Sequence, residues 1–128
     1  MAGKTSQDAV AVEALAVNQV RLVGRVSRDP EERQLPSGDV VWTFGLVVPR
    51  PASRRSRQTI DTLDCAVWGG RVRQQVAGWA RGDVVEVSGS VRRRFFAAGG
   101  GRASRVEIEV DAGRIVKRAP ASPRGATA

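Results

Sequence analysis

The sequence predicts an all-β domain, a five-stranded Greek-key barrel with one helix between the third and fourth strands. Three observations carry that prediction. Five segments alternate apolar and polar residues with a period of two, one segment repeats at helical spacing, and glycine- and proline-rich turns separate them.

The first strand is predicted over Gln19–Val26, where Val20 and Leu22 alternate with Gln19 and Arg21. Asp29-Pro30 is expected to break it, and residues 36–39 have the composition of a tight turn. Val40–Val48 forms the second strand, with Trp42, Phe44, Leu46 and Val48 on one face and Pro49 and Pro51 at its end. Residues 49–58 read as a basic loop containing Arg50, Arg54, Arg55 and Arg57. A third strand follows from about Thr59 to Trp68, its Leu63, Cys65 and Val67 opposed to Thr62, Asp64, Ala66 and Trp68. After Gly69-Gly70, the spacing of Val72, Val76 and Trp79 predicts a helix over residues 71–80. Gly82-Asp83 turns the chain into a fourth strand, Val84–Phe96. The glycines at 99–101 lead to a fifth, where Val106, Ile108 and Val110 alternate with Arg105, Glu107 and Glu109. This is the layout of an OB-fold. Residues 18–118 are its expected extent, between a mobile extension over 1–17 and a disordered tail over 119–128.

Charge narrows the function. With 21 Lys+Arg against 13 Asp+Glu the net charge is +8, the balance of a protein that seeks a polyanion. Lys4 and Lys117 are the lysines, so nearly all the positive charge is arginine, which both forks onto phosphate and stacks on a base. An arginine-rich proteome would explain the Arg-for-Lys bias but not the sign of the charge. No apolar run reaches the length of a membrane span and no signal peptide is recognisable, so a cytoplasmic, nucleoid-associated protein is expected.

An enzyme is not expected. The chain has no histidine, so neither a histidine base nor a Ser-His-Asp triad nor a histidine metal ligand can be built. One cysteine, Cys65, makes no structural zinc site and sits on an apolar face. Asp29, Glu31 and Glu32 are better explained as a turn than as a cation site. Gly3-Lys4-Thr5 lacks the strand and first glycine of a phosphate loop. Neither cofactor nor metal is expected.

Alternation on the fourth strand sends Arg92, Arg94 and Phe96 from one otherwise polar face, and Trp68 leaves the polar face of the third. Aromatic rings give bases a stacking platform and neighbouring guanidinium groups track phosphates, neither contact depending on base identity. The plainer account is a solvated arginine edge with Phe96 packed under the glycine loop. Phe95, facing the other way with Val91, is expected in the core, as are Trp42 and Trp79. The 49–58 loop reads either as an electrostatic contact or as a solvated loop.

Three stretches go beyond pattern. Residues 18–32 resemble the opening N-x-V-x-L-V-G…D-P-E of the bacterial single-stranded DNA-binding protein family. Residues 82–94 resemble its K/R-G-x-x-V-x-V-x-G-x-L-R-x-R segment, and residues 65–69 its strand ending in an aromatic and glycine. The resemblance implies single-stranded DNA as partner, stacking by Trp68 and Phe96, and phosphate contacts from Arg92, Arg94 and Arg81. It also implies a homotetramer or a related dimeric assembly, acting in replication, recombination or repair. The chain departs from the family where relatives carry further stacking tryptophans, here Thr62 and the region of Ala52. Its 49–58 loop is short and basic, which adds Arg54, Arg55 and Arg57 to the expected contacts. No acidic residue follows Asp111, so recruitment of replication enzymes through an acidic tip is not expected, and a specialised short paralogue is. Two other readings compete: a primosomal-type OB protein that holds proteins together at a replication fork, and an RNA-binding module.

Overall fold

Strand β1 (Val20–Gln34) is long enough to serve two neighbours. Its first half pairs with β4 (Val84–Ala98), from Val20 opposite Gly89 to Arg25 opposite Val84. Its second half pairs with β2 (Val40–Pro49), from Arg25 opposite Val47 to Gln34 opposite Val40. Changing partners requires a bend, and irregularities between Val26 and Arg28 and between Arg28 and Glu31 supply it. The expected break at Asp29-Pro30 therefore does not occur. Pro30 falls inside the second irregularity, where the ladder needs no N–H from it, and the strand bends through.

The computed structural model describes residues 11 and 13–120. Strand β3 (Ile60–Val67), helix α1 (Arg71–Ala77) and strand β5 (Gly101–Lys117) complete a closed barrel in the order β1-β2-β3-β5-β4. Closure comes from two parallel rungs, Cys65 with Ile108 and Ala66 with Glu109; the other neighbours are antiparallel. Most of the expected N-terminal extension and residues 121–128 of the expected tail lie outside the described residues, and Glu13 to Leu15 are helical.

Inside the barrel lie Val26, Phe44, Leu46, Cys65, Val67, Val85, Val87, Ile108 and Val110. Helix α1 caps one end with Val72 and Val76, and Trp79 meets Phe44 edge-on at 5.5 Å. The helix stops three residues before the predicted end. After Gly78 the chain continues in tight turns, with Trp79 N–H donating to Val76 O at 3.0 Å, and these carry Trp79 inward. Trp42 packs against the core partly buried, as expected. Buried Asp83 accepts N–H groups from Ala80 and Ala119, so its carboxylate ties the corner before β4 to the chain after β5.

Beyond Gly89, β4 has no β1 beside it. A Cβ at Gly89 would run into the carbonyl oxygen of Glu109, so the absent side chain lets β4 and β5 approach at their own irregularity. From Val91 the two strands continue as a ribbon to a two-residue turn at Gly99 (φ 50°) and Gly100 (φ 87°), both in the left-handed region that glycine tolerates. This ribbon corrects one expectation. Phe95 is not core but 63% exposed, and Val106 is likewise exposed, because the ribbon has left the barrel; Arg102 lies with its Cζ 5.8 Å from the Phe95 ring centre.

Candidate nucleic-acid interface

The ribbon leans over the open side of β1 and β2 and encloses a groove of about 520 Å³. Buried Val41 and Ala66 line it from the barrel, and Arg33 from the far half of β1. Trp68, one residue past β3, and Arg94, Phe96 and Arg105 from the ribbon face into it. The structure thus brings Trp68, Arg94 and Phe96 together, as the alternation predicts.

Ribbon register decides how the arginines are held. Arg92 sits opposite Glu107 and Arg94 opposite Arg105, but the ion pairs run on the diagonal. Arg92 Nε donates to Glu109 Oε2 at 2.9 Å, and Arg94 Nε to Glu107 Oε1 at 2.6 Å. Arg94 also lies with its Cζ 4.8 Å from the centre of the Trp68 ring. Glu107 is the buried partner, its side chain 8% exposed. Leaving such a carboxylate without its cation costs about 3 kcal/mol or more, at or above the roughly 1–3 kcal/mol a base gains by stacking on an aromatic. Arg94 is therefore firmly held within the protein, whereas the pair of Arg92 with Glu109 is exposed and weaker.

Uncompensated charge in the groove comes from residues that sequence reasoning missed. Among the described residues, neither Arg33 nor Arg105 has a carboxylate within ion-pair distance. Arg105 Cζ lies 5.7 Å from the ring centre of Phe96, which is 44% exposed. The alternation that placed Arg105 opposite in sense to Val106 was a usable signal for it. Arg33 lay beyond the predicted end of the first strand and had none.

Other predicted contacts stand apart from this groove. Arg81 is exposed in the turn between α1 and β4, its N–H donating to Asp29 Oδ1 at 2.7 Å. That bond also gives Asp29 a structural use. Arg54, Arg55 and Arg57 are exposed on the β2–β3 loop, which a bridge between Ser53 and Ser56 narrows. Arg50 of the same loop turns back to Asp61, and this hydrogen bond holds the Asp61 carboxyl below the usual carboxylate range and raises Arg50. Burial pushes the Cys65 thiol up to about 12, so it stays protonated and unreactive at neutral pH. Among the described residues no cluster of acidic or cysteine side chains could hold a metal ion, and no helix is long and apolar enough to cross a membrane.

The chain is similar to known single-stranded DNA-binding proteins. Over 87 residues the chain is 34% identical to a single-stranded DNA-binding protein of Halalkalibacterium halodurans, covering 67% of this chain and 52% of that one. It is 36% identical over 88 residues to single-stranded DNA-binding protein 3 of Listeria innocua, covering 67% and 54%. The chain thus spans about half the length of these curated relatives. A Plasmodium falciparum single-strand binding protein solved in complex with single-stranded DNA superposes with a TM-score of 0.65. At 23% identity, over 80% of this chain and 95% of that one, it shows the same OB-fold. The single-strand binding protein family matches residues 17–116, the whole barrel with its ribbon, and to that family, one of binding proteins rather than enzymes, the chain belongs.

Proposed function

We propose that this chain binds single-stranded DNA with little sequence preference, serving strands exposed during replication, recombination or repair. The observation that carries the reading is the convergence of two aromatic sites, Trp68 and Phe96, in one groove with Arg33 and Arg105, which have no carboxylate partner among the described residues. The relatives' names point to the same ligand.

Binding proceeds from charge to stacking. Arg33 and Arg105 meet phosphates and release counterions, aided by exposed Arg54, Arg55, Arg57 and Arg81 along the strand's approach. Bases then enter the groove and stack at Phe96 and at the Trp68 site. In duplex DNA the faces of paired bases are occupied by their neighbours, so the groove selects the single strand. Assembly into a homotetramer would join several such grooves on one path.

Anisotropy of a labelled oligothymidylate, compared with a duplex of equal length across a salt series, tests the reading. Tight binding of the single strand, weak binding of duplex and affinity that persists at high salt are expected. Equal affinity for both, lost entirely at high salt, would reduce the groove to a basic surface.

A further inference from the structure

Trp68 and Phe96 each carry an arginine over one ring, but the two arginines are held differently. Arg94, 4.8 Å from the Trp68 ring centre, is tied by a 2.6 Å bond to buried Glu107, and Arg94 Nη2 reaches Glu109 Oε2 at 3.8 Å. Arg105, 5.7 Å from Phe96, has no carboxylate partner among the described residues. Drawing Arg94 off Trp68 strands a buried carboxylate, which a new base stack does not repay. Drawing Arg105 off Phe96 strands nothing.

Resting on the proposed function, we infer that the two sites receive bases in different ways. Arg94 stays on Trp68 when the strand binds, and the incoming base stacks on the outer face of its guanidinium, with the indole as backing. Arg105 leaves Phe96 for a phosphate, and a base meets that ring directly. The planar, delocalised and weakly hydrated guanidinium suits a layer between two rings. Arg94 lines the groove with its side chain 39% exposed, which leaves surface for a base. Glu107 is then a positioning residue: it touches no DNA and fixes the layer that does.

Two variants separate this arrangement from a plain charge contact. Arg94→Lys keeps the charge and removes the plane; about tenfold weaker binding of labelled oligothymidylate is expected, with the salt slope unchanged. Glu107→Gln releases Arg94 to a phosphate; the slope should steepen by about 0.7, and tryptophan quenching at saturation should rise as Trp68 is uncovered. Thermal melting of each variant reports whether the fold is kept. Arg94→Lys binding as the unaltered protein does, or equal quenching at saturation with and without Glu107, would overturn the inference. If the unaltered protein fails to bind the oligonucleotide at all, the functional reading falls instead.

Discussion

The side-chain amide of Asn18 closes two hydrogen bonds with the backbone of Val91, accepting from its N–H at 2.9 Å and donating to its carbonyl at 2.8 Å. It does so just past Val20 and Gly89, where the β1–β4 ladder ends, and so adds one rung at the root of the ribbon. A side chain with both a donor and an acceptor is needed there. Asn18→Ala should lose about 1–2 kcal/mol of stability, because both bonds are partly solvated. Thermal melting would show this as a midpoint lower by several degrees. Hydrogen exchange over residues 91–107 should quicken, and an unchanged exchange pattern would refute the role.

Phe96 and Phe95 are neighbours on opposite faces of the ribbon, 44% and 63% exposed. Since neither fills the core, replacing either with alanine should change stability by less than about 0.5 kcal/mol. Their effects on DNA should differ. Phe96→Ala is expected to weaken binding by about 1–3 kcal/mol in the anisotropy titration. Phe95→Ala is expected to weaken it less, because Phe95 borders the same groove but leaves the ribbon on its other face. Equal losses would mean that the groove face is not the binding face.

Charge pairing predicts which arginines the salt dependence reports. Arg33→Gln and Arg105→Gln should each flatten the log–log slope by about 0.7, one phosphate contact apiece. Arg92→Gln should flatten it less, because its Nε is already committed to Glu109. A larger change from Arg92 than from Arg33 would invert this ranking.

Acid should weaken the outer face of the barrel. Glu86 on β4 receives Arg114 Nε at 2.8 Å and also pairs with Arg21 on β1, and these bonds hold its carboxyl below the usual range, the Arg114 hydrogen bond most. A depressed folded-state pKa means stability that is fully present above the ordinary glutamate pKa of about 4.3 and lost as pH falls through the folded value. Asp61 adds to the same trend through Arg50. Denaturant titrations from pH 5 downward should therefore show a shallower loss in Glu86→Gln than in the unaltered protein.

Much of the fold was legible because period-two alternation is set by the backbone itself. It identified five strands, the inward set Phe44, Leu46, Cys65 and Val67, and the shared sense of Arg92, Arg94 and Phe96. Helical spacing likewise found α1, although not the turn after Gly78 that brings Trp79 into the core.

Alternation says which way a side chain points and nothing about what stands there. Phe95 and Val91 follow the same phase as buried Val87, yet the barrel ends between them and the later two face water. Ion pairing across the ribbon depends on the register of β4 against β5, which no single strand contains. That register gives Glu107 to Arg94 and Glu109 to Arg92, and leaves Arg105 over Phe96. The arrival of Arg33 depends on β1 bending through Pro30 instead of stopping. The sequence by itself determined the strands, the inward faces of the barrel strands and the residue types proposed to meet DNA. The tertiary structure decided which of those residues are free to do so, since charge compensation is set by distances between strands far apart in the chain.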